Sequence, residues 1–211
     1  RGGCCCPKAS AGHSAAAPPS KARRPGPKPL ILSPPDIGGM LANTGRRRYA
    51  SRMSICYIES PVGRLALEAD DDCVTSVRWA SPGERASSSR TGAAKISPVL
   101  KEATRQFDRY FGRKLRRFDL PLAAHGTDHQ KRVWAMMCEI PFGETATYGG
   151  MAMALGSGPR AVGTACGRNP LPIIVPCHRV LASGGKEGGY SGGRGLATKH
   201  QLLALEGVVL L

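Results

Sequence analysis

Residues 173–180 read Ile-Ile-Val-Pro-Cys-His-Arg-Val, and no other stretch constrains the fold as strongly. Three branched apolar residues in a row belong in an interior, as a short strand or core segment. Pro176 has no N–H and cannot extend a central ladder, so Cys177 is delivered where regular structure stops. A thiol attacks as its thiolate, and an ordinary pKa of about 8.5 leaves only a few per cent ionised near neutrality. It needs a base. His178 is adjacent, but successive side chains on an extended segment point to opposite faces, so contact requires a turn or a bridging water. Taken alone, a Cys-His dipeptide more often means a buried structural cysteine beside a surface histidine.

Upstream, the pattern passes from strands to helices. Residues 54–59, 63–69 and 73–79 are short apolar or β-branched runs, separated by Pro61-Val62-Gly63 and by Asp70-Asp71-Asp72. They predict a three-stranded antiparallel meander. The three aspartates read as a solvated turn rather than a metal site. Residues 81–94 read as a loop. Val99, Leu100, Ala103, Phe107, Tyr110 and Phe111 then stand at helical spacing over 98–111, and Gly112 stops that helix. Phe118–Leu122 is extended. A helix over 128–139 turns Val133, Trp134 and Met137 inward and ends at Pro141-Phe142-Gly143.

Thr147 is placed to cap a helix from Tyr148 to about Leu155. Gly156-Ser157-Gly158 makes a turn, and Pro159 suits the first position of another helix ending near Gly167. Helix, short turn and helix form a helix-turn-helix pattern. The second helix is built from small residues, among them Ala161, Gly163, Thr164, Ala165, Cys166 and Gly167. A slim helix suits the minor groove, which is about 6 Å wide, and equally suits close packing against another helix. Both readings stand on composition.

The chain carries 30 Lys and Arg against 15 Asp and Glu, a net charge of +15 that favours a polyanionic partner such as nucleic acid. Residues 1–50 hold nine of those basic residues and one acid, Asp36. This Pro- and Ala-rich tail is too apolar-poor to offset its ordering entropy and is expected to be disordered. It lacks an initiator methionine, which allows a processed or truncated start, and its acid-poor composition also resembles a transit peptide without the amphipathic pattern. Cys4-Cys5-Cys6 and His13 lack the spacing that places two thiolates on one zinc ion. The other cysteines, at 56, 73, 138, 166 and 177, lack the spacing of a disulfide framework and predict a reducing compartment. No apolar run approaches the roughly 20 residues of a membrane span. A soluble intracellular protein is expected, in the cytoplasm with the nucleoid if bacterial and in the nucleus if eukaryotic.

Asn169-Pro170, Pro-Cys-His-Arg-Val and the stretch ending Gly189-Tyr190-Ser191-Gly192-Gly193 follow one another. Lys199 and Leu202-Leu203-Ala204-Leu205-Glu206-Gly207 close the series. With Gly126-Thr127, Gln130, Val133-Trp134, Ile140-Pro141, Gly143 and Tyr148, this closely resembles the O6-alkylguanine-DNA alkyltransferases, the methylated-DNA–protein-cysteine methyltransferases. The resemblance covers 126–207 strongly and 54–125 loosely.

It implies a ribonuclease-H-like α/β (α+β) scaffold domain at 51–125 and a mainly helical, winged helix-turn-helix-like DNA-binding and methyl-acceptor domain at 126–211. The implied activity is single-turnover transfer of the alkyl group from O6-methylguanine in DNA, and from O4-methylthymine, to Cys177. By resemblance His178 draws the thiol proton through water and Glu206 polarises His178. Tyr148 rotates the phosphate and protonates the leaving base, and Asn169 ties the recognition helix to the cysteine segment. Arg160 fills the gap left by a flipped base, with Ala161, Gly163 and Thr164 along the DNA. Tyr190, Ser191 and Val180 wall the pocket. No metal or organic cofactor is implied; the partner is double-stranded DNA carrying O6-alkylguanine, met by a monomer.

Two positions depart from that pattern. The turn before Arg160 is about two residues short, which bears on where the helix begins, and His129 stands where phenylalanine is usual. Two rivals remain from the residues: a cysteine hydrolase using the Cys-His pair, and a lesion-sensing DNA-binding module that transfers nothing.

Overall fold

The computed structural model describes residues 53–84 and 97–208. The expectations for the tail and for most of the 81–94 loop lie outside the described residues.

Strands β1 (Ser54–Ile58), β2 (Leu65–Ala69) and β3 (Val74–Trp79) form the expected antiparallel meander, with β2 in the centre. Alternation sorts its faces. Leu65, Leu67 and Val77 are buried with Leu100, Ala103 and Phe107 of helix α1 (Pro98–Phe111) in the hydrophobic core. On the opposite face Tyr57, Arg78 and Glu84 form a polar cluster, with Tyr57 donating to Glu84 at 2.9 Å. The aspartate turn closes on itself, since Asp70 accepts from the backbone N–H groups of Asp72 and Cys73.

Helix α1 begins where Ser97 accepts from the Leu100 N–H, with Pro98 in its first turn, and it ends at Gly112. Its Gln106 grips the extended segment by exchanging two hydrogen bonds with the backbone of Asp119, at 2.8 and 2.7 Å. That grip lays Leu122 beside Val74 in a single parallel bridge.

Helix α2 (Asp128–Cys138) starts in a reciprocal cap: Thr127 accepts from the Gln130 N–H while the Gln130 side chain accepts from the Thr127 N–H. Val133, Trp134 and Met137 point inward as expected. Trp134 lies so close to Gly126 that a Cβ there would sit 2.5 Å from the ring. Its indole N–H donates to the Ala165 carbonyl at 2.9 Å, fastening α2 to the small-residue helix that ends near Gly167.

Helix α3 (Tyr148–Leu155) is capped by Thr147 and ends on Gly156 at φ +59, a left-handed position that favours glycine. Helix α4 (Pro159–Gly167) starts at Pro159, so the short turn still delivers a helix at the expected residue. Helix α5 (Leu196–Leu205) closes the described fold.

Two features differ from expectation. Residues 146–147 (β4) and 180–181 (β5) form a small parallel pair, Ala146 opposite Val180, that the sequence does not announce. The Ile173-Ile174-Val175 run is core, as its composition demands, but it is not a strand. The Val175 N–H returns to the Leu171 carbonyl at 2.8 Å, and Ile173 takes φ +76. Prolines at 172 and 176 lack the donors a ladder needs, and the Asn169 side chain takes the Leu171 N–H and the Val175 carbonyl instead.

The reciprocal cap of α2 makes a stability prediction. Thr127→Ala should lower unfolding free energy by about 1 kcal/mol in urea melts; an unchanged midpoint would show that the cap contributes nothing.

Candidate active site

Pro176 ends the buried run, and Cys177–Arg179 form one turn of 3₁₀ helix. With three residues per turn, successive side chains diverge by about a third of a circle. Cys177 thereby opens onto a pocket while His178 and Arg179 enter the interior, all three being buried. The turn does not join the two side chains directly, since His178 Nδ1 has no hydrogen-bond partner.

The interior end of this turn is organised by Glu206, at the end of α5, whose side chain is fully buried. Its Oε1 accepts from Tyr110 Oη at 2.7 Å and from Arg179 Nη2 at 2.9 Å, and lies 2.9 Å from His178 Nε2. Its Oε2 accepts from Arg179 Nε at 2.9 Å, and Arg179 Nη1 donates to the Ile140 carbonyl at 2.6 Å. Burial opposes ionisation of this carboxyl, but hydrogen bonds from His178 and Arg179 prevail and hold it at about 2. Arg179 is the cation that compensates it.

His178 need not be charged. Burial pushes its pKa down, against the pull of Glu206. A carboxylate can only accept, so Nε2 carries the proton and Nδ1 keeps a bare lone pair. That Nδ1 is buried and has no hydrogen-bond partner. An orphaned acceptor one residue from the thiol is what a base acting through water requires.

On the other side of the turn lies a cavity of about 470 Å³. One wall is helix α4, through Gly163, Cys166 and Gly167. The other is Gly189-Tyr190-Ser191, with Tyr148 and Cys177 completing the lining. Burial pushes the Cys177 thiol up, while Asn169, Tyr190 and the Lys199 ammonium favour its thiolate. At rest it is a thiol. Tyr190 Oη is buried without a partner of good hydrogen-bond geometry, yet it lies near enough to the sulfur for each to shift the other. Burial and the neighbouring thiols of Cys166 and Cys177 push Tyr148 up to about 12, which keeps its hydroxyl protonated at neutral pH.

The remaining sequence-selected residues divide. Asn169 bonds to both ends of the Leu171–Val175 turn and so links the end of α4 to the cysteine segment. Arg160, Ala161 and Thr164 are exposed on α4, and Arg160 stands in its first turn. Val180 does not line the cavity; it is fully buried in β5, where its carbonyl accepts from Lys199 Nζ at 2.7 Å. His129 is half-buried, with its Nε2 unpaired. Among the described residues, no group of three His, Cys, Asp or Glu is arranged to hold a metal ion, and no helix is long and apolar enough to cross a membrane.

Residues 128–208 match the family model described as 6-O-methylguanine DNA methyltransferase, DNA binding domain, and residues 53–124 match its ribonuclease-like domain. A methylated-DNA–protein-cysteine methyltransferase of Methanosarcina acetivorans is 41% identical over 157 residues, spanning 74% of this chain and 99% of its own. The chain belongs to the 6-O-methylguanine DNA methyltransferase family. The protein of that name from Mycobacterium tuberculosis is 41% identical over 71% of this chain and 89% of its own. A crystal structure of the M. tuberculosis O6-methylguanine methyltransferase is similar at a TM-score of 0.61, with 39% identity over 73% of this chain and 92% of that one. Another, described as OGT in complex with DNA, gives 0.61 at 41% identity over 71% of this chain and 90% of that one.

In this member of the methyltransferase family, the residues that the sequence signals least are those that hold His178 and Glu206 in place. Arg179 stands inside the Pro-Cys-His-Arg-Val motif, where an arginine beside buried residues signals a buried partner. Tyr110 was assigned to the core by its spacing. Its hydroxyl meets Glu206 96 positions away, a pairing no local pattern encodes.

The network predicts a two-stage loss of stability in acid. A folded His178 pKa below the ordinary 6.5 means that the unfolded chain binds that proton first, so stability falls as pH drops below about 6.5. The Glu206 contribution is complete above its ordinary 4.5 and disappears as pH falls towards 2. Urea titrations from pH 8 to 3 should show the first decline in the parent and not in His178→Asn; a parent curve flat between pH 7 and 5 contradicts it.

Proposed function

We propose that this protein repairs DNA by moving the alkyl group of O6-alkylguanine, O6-methylguanine above all and O4-methylthymine as well, onto Cys177. The single observation that carries the residue assignment is the bare, buried Nδ1 of His178, one residue from a thiol that opens onto a base-sized cavity. His178 Nδ1 takes the thiol proton across a bridging water while Glu206 supports the positive charge that appears on the ring, against the nearby Arg179 cation. The Cys177 sulfur then attacks the alkyl carbon. The carbon–O6 bond breaks, its electron pair moves into the purine, and Tyr148, still protonated, donates to the leaving base.

The product is a thioether, which water does not cleave readily, so each protein acts once. This separates the reading from a cysteine hydrolase, which turns over. The target base must leave the stack to reach the pocket, and a flipped base costs a few kcal/mol. Arg160, exposed in the first turn of α4, enters the gap, and Ala161, Gly163 and Thr164 let the helix approach the backbone closely. Tyr190 stacks on the base, and Ser191 with nearby N–H groups binds O6. Asn169 ties α4 to the cysteine turn, so that docking of the helix and placement of the sulfur are linked. Val180, buried in β5, supports the loop wall through its carbonyl, which holds the Lys199 ammonium that also bonds Glu187. On this reading residues 51–125 are a ribonuclease-H-like scaffold, and 126–211 bind DNA and accept the alkyl group. The protein acts as a monomer on duplex DNA.

Mixing with a duplex that contains one O6-methylguanine should add one methyl group to the intact mass. The addition should map to Cys177, saturate at one per protein and be absent in Cys177→Ser. Turnover, or no mass gain while the duplex is bound, contradicts the proposal. His178→Ala should slow transfer by about 10²–10⁴-fold. Arg160→Ala should slow transfer from duplex while leaving transfer from a free O6-alkylguanine base unchanged; equal loss on both would remove Arg160 from base extraction.

A further inference from the structure

The wall carrying Tyr190 and Ser191 is a loop with little rigidity of its own. Gly188, Gly193 and Gly195 take φ of +66, +54 and +65, and Gly189 and Gly192 lie between them. Its ends are tied to α5. Lys199 Nζ donates to the Glu187 carbonyl, His200 pairs with the Glu187 carboxylate at 2.7 Å, and the Arg194 N–H donates to Thr198 at 2.9 Å. The middle, which bears the two pocket residues, is held from elsewhere. Tyr148 donates to the Gly189 carbonyl at 3.3 Å, Gly193 packs against Thr198 of α5, and further support comes from the other domain.

That support is Trp79, the last residue of β3. Its ring meets Tyr190 edge-on, with centroids 6.4 Å apart and an interplanar angle of 86°. The loop backbone lies flat against the indole: a Cβ on Gly192 would come within 2.6 Å of Trp79 Cζ3, and one on Gly193 within 2.8 Å of Nε1. Only glycine permits that approach. Trp79 is itself fixed, because its Nε1–H donates to the Val62 carbonyl at 2.9 Å and its backbone pairs with Leu65 in the sheet.

We infer that Trp79 is a positioning residue for alkyl transfer, a post from the amino-terminal domain that fixes Tyr190 and thereby the width of the base slot beside Cys177. The inference rests on the alkyl-transfer reading of that cavity. It gives the amino-terminal domain a direct part in substrate recognition beyond scaffolding. Edge-on aromatic packing has a preferred geometry, so the indole resists displacement of Tyr190 as a base enters. Trp79 belongs to neither the Glu206 network nor helix α4, so its effect is confined to the slot.

The test is single-turnover transfer over a range of substrate concentrations, from a duplex containing O6-methylguanine and from free O6-benzylguanine, in the parent, Trp79→Ala and Trp79→Phe. Small displacements of a binding group reduce rate steeply, so Trp79→Ala should raise the half-saturating concentration of both substrates by about tenfold. Trp79→Phe should recover part of the loss. Alkylation of Cys177 by iodoacetamide, its pH profile, and affinity for undamaged duplex should match the parent. If Trp79→Ala does not fold, Trp79→Leu replaces it and should show the same loss. Parent-like saturation in the variants overturns the inference, as does a loss that appears equally in iodoacetamide reactivity, which would mark a structural role. A parent that transfers no alkyl group overturns the functional reading itself.

Discussion

A carboxylate in a protein interior persists only if its partners replace the water it has lost, and Glu206 is surrounded by such partners. Arg179 supplies the charge, and His178, Tyr110 and the Gly143 N–H supply further hydrogen bonds that join distant parts of the chain. Tyr110 comes from the helix of the amino-terminal domain, His178 and Arg179 from the cysteine turn, and Glu206 from the end of α5. Removing one member of a buried pair of this kind typically costs about 3–5 kcal/mol, because the other charge is left uncompensated. The same bonds that close the two domains on one another select the tautomer of His178. Stability and the proposed activation of the thiol thus share one set of atoms.

In front of that network, the side of the cavity formed by α4 is built by the opposite means. Helix α4 gives up propensity, with Gly163 and Gly167 in its length, and is held instead by Trp134 through the Ala165 carbonyl and by Asn169 at its end. Glycines cost about 1 kcal/mol each in a helix, so tertiary bonds must replace what the local sequence gives up. What is gained is a thin wall: a Cβ at Gly163 or Gly167 would meet nothing within 4 Å, so side chains there would project into open space. A rigid interior and a thin exterior meet at Cys177.

Much of this was legible beforehand, for reasons that can be named. Alternating runs and the aspartate turn specified the meander, helical spacing specified α1 and α2, and Thr147, Gly156 and Pro159 marked the ends of the helix-turn-helix. These signals are local. The Ile173–Val175 run was legible as core but not as a strand, because its shape is set by Asn169 and two prolines rather than by its own composition. The two-residue β4–β5 pair is too short to leave a pattern. Val180 drew a pocket role from resemblance, whereas the strand turns it inward. Tyr110, Arg179 and Trp79 act through contacts with residues far away in sequence, and only the assembled fold brings those partners together.

The central claim is that Glu206 fixes the proton of His178 on Nε2 and leaves Nδ1 bare for the Cys177 proton. Nitrogen-15 NMR of the His178 ring at pH 7 reads this directly. A neutral ring protonated at Nε2, changing tautomer or charge in Glu206→Gln, is the result the account predicts. A proton on Nδ1, or a doubly protonated ring in the resting protein, would contradict it, because the thiol would then have no base within the turn that presents it.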